Sequence, residues 1–212
     1  MDVTWLGHGC FRLRGRNAVA ITDPYPPSLG PKLGKLDADL VTVSHPHENH
    51  AYVQAVKDAR LIDGPGEYEV AGISVIGLPT FHDDRSGEDR GRNTVYLIDI
   101  DDVLVCHLGD LGHRLDDNDL EALGTVDVLL APVGGGTSLD ATRAAEVVRQ
   151  IEPRIVVPMH YALPAVKKQL EPADRFLKEM GVTEAEPIGR LSVQATTGET
   201  ETTKVVVLEA RV

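Results

Sequence analysis

Over the first hundred residues, apolar positions recur in short runs that are β-branched or alternate with polar ones. Asp2-Val3-Thr4-Trp5-Leu6, Cys10-Phe11-Arg12-Leu13, Ala18-Val19-Ala20-Ile21-Thr22 and Leu40-Val41-Thr42-Val43 each predict a strand, and Gly, Asn or Pro punctuates the gaps. A short helix is expected near Tyr52 to Asp58. Strands then resume at Arg60-Leu61-Ile62, Ile73-Ser74-Val75-Ile76, Thr94-Val95-Tyr96-Leu97-Ile98 and Val103-Leu104-Val105-Cys106, with Asp101-Asp102 as a hairpin turn between the last two. Helical spacing arrives later, at Asp117 to Leu123, at Ala141 to Ile151 behind an Asp140 cap, and at Ala173 to Met180 between Pro172 and Gly181. The apolar strands Val126-Asp127-Val128-Leu129-Leu130 and Ile155-Val156-Val157 lie among these helices. Leu191-Ser192-Val193 and Val205-Val206-Val207-Leu208 read as further strands that complete a sheet or pair with a second subunit. Strands first, then strand-helix alternation, predict an α/β (α+β) chain with helices outside two facing sheets. Two segments read as irregular: Asp23 to Lys35, rich in Pro and Gly, and the charged stretch Asp83 to Arg92, which suits either a lid or a plain surface loop.

Composition narrows the class. A chain of 212 residues with 42% hydrophobic content can fill one core, so a single domain over residues 1–212 is expected. Lys and Arg total 21 against 33 Asp and Glu, a formal charge of −12, which repels phosphate backbones and anionic lipid. Nucleic acid and membranes are therefore set aside as partners in favour of a small molecule. Apolar runs are strand-sized, well short of the roughly 18 residues of a membrane span, and the opening strand is unlike a signal peptide, so cytoplasm is the expected compartment. Cys10 and Cys106 stand far apart with no C-x-x-C partner and read as small buried hydrophobes.

Candidate chemistry clusters where strands end. Ser44 to His50 reads SHPHENH directly after Leu40-Val41-Thr42-Val43. His45 and His47 are two apart, where alternation sends both side chains the same way, and His50 lies within one helical turn of His47. His82 follows Ile76-Gly77-Leu78-Pro79-Thr80-Phe81, Asp110 follows Val105-Cys106-His107-Leu108-Gly109, and His160 follows Ile155-Val156-Val157-Pro158-Met159. Neutral imidazole suits zinc, and also iron or manganese when oxygen ligands join it. A lone buried carboxylate such as Asp110 costs several kcal/mol unless paired or metal-bound, so a bridging role suits it. His45, His47, His50, His82, Asp110 and His160 together have the ligand types of a two-metal hydrolase.

The order H-x-H-x-x-H, then His, Gly-Asp and Pro-x-His resembles the metallo-β-lactamase superfamily along nearly the whole chain. WLGHGCF at Trp5 to Phe11, ITDP at Ile21 to Pro24, GEYEVAGI at Gly66 to Ile73, NTVYLI at Asn93 to Ile98, CHLGDLGH at Cys106 to His113 and VPMHY at Val157 to Tyr161 resemble, more narrowly, a branch of zinc-dependent hydrolases related to ascorbate-6-phosphate lactonase. The resemblance implies a four-layer αββα sandwich with one or two Zn2+ ions, or Mn2+ or Fe2+, at one edge between the sheets. It implies His45, His47 and His82 at a first metal, His50 and His160 at a second, and Asp110 bridging. Asp23 matches an acid that buttresses the metal loops without being a ligand, and a homo-oligomer is a further implication.

Asn49 departs from the family pattern H-x-H-x-D-H, in which the aspartate binds the second metal and orients the attacking hydroxide. An amide oxygen can coordinate but brings no charge and accepts no proton from the nucleophile. Adjacent Glu48 is shifted by one residue and so differently directed. A weak second site, a single metal, and a binuclear site with another acid all stay open.

A metal would bring a bound water towards a pKa of about 7 and polarise a carbonyl or phosphoryl oxygen. Hydrolysis of a small ester or lactone is expected, involving Asp110, Asn49 and His160. A small phosphodiester and a non-catalytic metal- or ligand-binding role are the alternatives. His8 and His113 are expected to face substrate as donors, while His107, inside a strand, reads as a satisfied core group. Asp83 or Asp84 offers a carboxylate to fix an imidazole from behind, and Arg85, Arg90 and Arg92 either greet an anion or form a solvated face. Gly134-Gly135-Gly136-Thr137 lacks the P-loop lysine and reads as a tight strand-to-helix turn. No G-x-S-x-G elbow surrounds Ser44, Ser74 or Ser138, which disfavours serine-hydrolase chemistry.

Overall fold

In the computed structural model, which describes residues 1–195 and 202–211, two mixed sheets face each other; residues 196–201 and 212 of the expected domain lie outside the described residues. One sheet has six strands in the order Leu191–Ser192, Asp2–Gly7, Cys10–Arg14, Val19–Thr22, Leu40–Thr42 and Arg60–Ile62. The other has seven, in the order Lys204–Val205, Ile155–Met159, Val128–Pro132, Val103–His107, Arg92–Ile100, Ile73–Phe81 and Gly66–Val70. Alternation along the first sheet explains how both its faces are covered. Val3, Trp5, Phe11, Leu13, Ala20 and Leu40 join the core shared with the second sheet, whereas their neighbours Leu6, Cys10, Ile21 and Val41 join a separate outer cluster with Tyr25 and Val56. Both cysteines are buried and free, as expected.

Three α-helices are present among the described residues: α1 (Asp117–Leu123), α2 (Ala141–Ile151) and α3 (Asp174–Glu179). The Asp140 side chain accepts from the Arg143 N–H and caps α2, and Asp116 closes a capping box on α1. Helix α2 lays Ala144, Ala145, Val148 and Ile151 into the shared core and packs against α3. The outer face of the first sheet carries short 3-10 turns and irregular chain in place of a long helix.

The helix expected at Tyr52 to Asp58 is a 3-10 turn, Val53–Ala55, followed by a two-residue strand, Val56–Lys57, paired in parallel with Leu36–Asp37. Seven residues make a poor isolated helix, and burying Val56 in the outer cluster outweighs the local preference. Val126 and Asp127 precede their strand, which runs from Val128 to Pro132. Gly66–Val70 is a strand that its pattern does not announce: its two glutamates point outward at a sheet edge, where charge is tolerated. Leu191–Ser192 and Lys204–Val205 add to the two sheets within the same chain.

Candidate metal centre

At one end of the sandwich, loops from both sheets bring their polar residues together. The first strand pair carries a bulge between Trp5 and Gly7, and His8 follows with φ 53°, a left-handed conformation rare for a residue with a Cβ. The Trp5 indole N–H donates to the His8 carbonyl, and the same carbonyl accepts from the backbone N–H of His160. Asp23 and His160 also have positive φ, 37° and 51°. Three strained residues at one spot mark a place where the fold holds side chains against backbone preference.

The SHPHENH loop is held from beneath. Asp23, fully buried, accepts from the backbone N–H and hydroxyl of Ser44, and its Oδ2 lies 2.9 Å from His50 Nδ1. Burial pushes the Asp23 carboxyl up, but His107 and His50 outweigh it and hold the group below the ordinary carboxylate range. With Nδ1 engaged, His50 turns Nε2 away from Asp23, 3.5 Å from Asp110 Oδ2. This is the buttressing role expected of Asp23.

Asp110 is the hub. Its Oδ2 lies 3.0 Å from His82 Nε2, 3.5 Å from His50 Nε2 and 4.0 Å from His45 Nε2, while Oδ1 lies 3.3 Å from His160 Nε2. Burial disfavours its charge, but the imidazoles, led by His160 and His50, hold the carboxyl well below the usual range. Burial, with His50 beside His45 and Lys168 beside His160, lowers His45 to about 4 and His160 to about 3 and leaves both neutral near pH 7. Burial pulls His50 down too, but Asp110 and Asp23 hold it above the ordinary value.

Imidazoles around an ionised carboxylate form the donor set a divalent transition ion takes. Buried atoms without a hydrogen-bond partner converge here: His45 Nε2, His50 Nε2, His82 Nδ1, Asp110 Oδ1 and both ring nitrogens of His8. Ligand atoms of His45, His82 and Asp110 lie within 4.8 Å of one another, as do those of His8, His50 and His160. Asp23, His45 and His50 form a third such group, but it is a hydrogen-bonded network, since Asp23 is consumed by Ser44 and His50. These residues fit a metal.

Five of the six expected ligands are thus gathered and buried, whereas His47 is exposed at the mouth of the site, its Nδ1 accepting from the Asn49 N–H. Glu48 is exposed and joins no ligand group among the described residues. His113 is not available as a substrate donor, because Nε2 accepts from the Phe81 N–H and Nδ1 donates to the Arg114 carbonyl. Neither Asp83 nor Asp84 backs an imidazole. The Asp83 carboxylate accepts from the backbone N–H groups of Arg85, Gly87, Asp89 and Arg90, tying the charged loop onto itself, and Asp84 pairs with Arg143 at 3.0 Å. His107 is satisfied as expected: Nε2 donates to the Gly9 carbonyl and Nδ1 accepts from the Gly109 N–H, linking the turns that carry His8 and Asp110.

Two functional positions escape sequence reasoning. Buried Asn93 donates to Thr80 Oγ1 and the Leu108 carbonyl, and its Oδ1 accepts from the Asp110 N–H, so it sets the Gly109-Asp110 turn. It opens the NTVYLI motif, but nothing local announces its contact with Asp110. Lys168 has no local signal: its Nζ reaches within 3.3 Å of His160 Nε2 from an irregular segment. Lys168, with Arg90, Arg92, Thr137 and His47, lines a cavity of about 470 Å³ that opens onto His45, His82 and Asp110.

Residues 2–160 match the family described as the beta-lactamase superfamily domain. A UPF0173 protein of Pyrococcus furiosus is 34% identical, the match covering 76% of this chain and 83% of that protein. A UPF0173 metal-dependent hydrolase of Methanopyrus kandleri is 28% identical over 86% of this chain and 94% of its own length. A crystal structure from Thermotoga maritima, described as a candidate Zn-dependent hydrolase of the metallo-β-lactamase superfamily, superposes with a TM-score of 0.79 at 36% identity, covering 98% of this chain and 97% of that one.

Proposed function

Since this chain belongs to the metallo-β-lactamase superfamily, and within it to the UPF0173 metal-dependent hydrolases, we propose that it hydrolyses a small ester or lactone bearing an anionic group. The observation that carries the reading is Asp110, buried with its two oxygens 3.0–4.0 Å from four imidazoles beside an open cavity. A bound divalent ion supplies water activation near pH 7 and polarisation of the substrate carbonyl. His45, His82, Asp110, His50 and His160 would hold it, with His47 at the mouth.

The chain's own contribution is positioning. Asp23 aims His50, Asn93 sets Asp110, and His107 joins the two loops, so the donors are arranged before substrate arrives. Lys168, Arg90 and Arg92 line the cavity with positive charge although the chain carries −12 overall, which suits a small anion and disfavours a polymer with a phosphate backbone. The lactone preference rests on the motif resemblance to ascorbate-6-phosphate lactonase relatives.

Metal analysis of protein purified without chelators, followed by assays on lactones, thioesters and bis(p-nitrophenyl) phosphate, tests the reading. Bound zinc with turnover of anionic lactones is expected. Less than about half an equivalent of metal, with no turnover after reloading with Zn, Mn or Fe, sinks it. Lys168→Ala is expected to raise KM for a carboxylate-bearing lactone about tenfold or more while leaving an uncharged lactone nearly unaffected, in line with the loss of one charge-assisted contact.

A further inference from the structure

We propose that His8 is a metal ligand, completing with His50 and His160 a second site that bridges through Asp110 to the His45-His82 site and so replaces the aspartate that Asn49 lacks. The inference rests on the metal-dependent reading above and specifies which side chains make it binuclear.

The His8 ring is 1% exposed, and neither ring nitrogen has a hydrogen-bond partner. A histidine retained only for packing would satisfy at least one of them, because a buried N–H without an acceptor is costly. The ring faces other ligands: its centroid lies 4.1 Å from that of His160 and 4.7 Å from that of His50. Donor atoms of the three residues lie within 4.8 Å of one another.

The backbone is built to aim it. The bulge before Gly7, the left-handed φ of His8, and the Trp5 and His160 hydrogen bonds to the His8 carbonyl all turn the ring inward. Gly9 lets the turn close, since a Cβ there would stand 3.3 Å from the His50 ring.

Asp110 connects the two groups. Its Oδ1 approaches His160, and its Oδ2 approaches His82 and His45 on one side and His50 on the other, so the carboxylate faces both groups. Asn49, half-buried, engages His47 Nδ1 through its backbone N–H. A second site of three imidazoles and a shared carboxylate, with Lys168 Nζ 3.3 Å from His160 Nε2 at its edge, favours zinc and similar borderline ions over magnesium or calcium.

Zinc titration of the chelator-stripped full chain tests the assignment by stoichiometry, independent of turnover. Wild type is expected to take two equivalents, His8→Gln to keep the first and lose the second by at least about 100-fold in affinity, and Asn49→Asp in the His8→Gln background to restore it. Long-range 1H–15N spectra of the wild-type imidazoles decide the matter even where the variant does not fold. One His8 ring nitrogen is expected to move to a metal-bound shift as the second equivalent is added. Two tight equivalents in His8→Gln, one equivalent in wild type, or His8 nitrogens unmoved throughout overturn the assignment while leaving the hydrolase reading intact. Wild type binding no zinc at all overturns both.

Discussion

Asp23 has no exposed surface, yet it holds Ser44 and His50 at once. A carboxylate there fixes the ring orientation of His50 and raises its basicity as a donor. Asp23→Asn keeps the shape and removes the charge. It is expected to weaken zinc binding by about 10–100-fold without unfolding the chain, as read by competition with a chelating dye. Asn93 works one step further back. Asn93→Ala leaves the Asp110 N–H without its acceptor and is expected to cost about 1–3 kcal/mol of stability. Denaturant unfolding measures that, and an unchanged midpoint would argue against its role. Asn49 had stood out as the departure that endangers a second metal; with His8 placed beside His50 and His160, a neutral side chain at 49 is compatible with two ions.

Elements meet at glycines where nothing larger fits. The Gly134-Gly135-Gly136-Thr137 turn is the strand-to-helix connection its pattern suggests, and Gly134 passes so close to the strand end carrying His160 that a Cβ would stand 2.3 Å from the His160 carbonyl oxygen. Backbone cannot yield as a side-chain tip does. Gly134→Ala is expected to destabilise by about 2 kcal/mol, roughly 4–8 °C in Tm for a chain of this size, and to reduce zinc affinity because His160 moves with it. Most strands were readable because each packs one face between the sheets and alternates accordingly, as Val3, Trp5, Leu13 and Leu40 do. The Tyr52 segment was not, since only the distant strand Leu36–Asp37 makes Val56–Lys57 extended.

Across the molecule, the buried histidines make stability depend on pH. His45 near 4 and His160 near 3 lie below the unfolded value of about 6.5, so between those limits the unfolded chain binds more protons. Stability of the metal-stripped protein is therefore expected to fall as pH drops from about 6.5 towards 4. His50 has the opposite sign, its raised value contributing stability that is lost as pH climbs, but it is one group against five, since His8, His47 and His107 are lowered as well. Thermal unfolding at pH 7 and pH 4.5 checks this: a lower Tm at pH 4.5 is expected, and an equal or higher one would contradict it. A metal held by this cluster would bind the folded state alone, so loading zinc at pH 7 is expected to raise Tm and EDTA to reverse the gain. No helix among the described residues is long and apolar enough to cross a membrane.

Sequence by itself determined most of the strands, the capped helix Ala141–Ile151, the net acidic charge and the residue types of the site, because burial periodicity and donor chemistry are properties of local pattern. It placed His45, His50, His82, Asp110 and His160 at strand ends, where a common edge could collect them. Only tertiary structure decided which nitrogens stay free, because that choice depends on how loops and strands meet in space. His113 lost both nitrogens to backbone, one to the strand end at Phe81 and one to Arg114, Asp83 turned onto its own loop, Lys168 arrived from an irregular segment, and His8 was left buried and unpaired against His160, 152 positions further along the sequence.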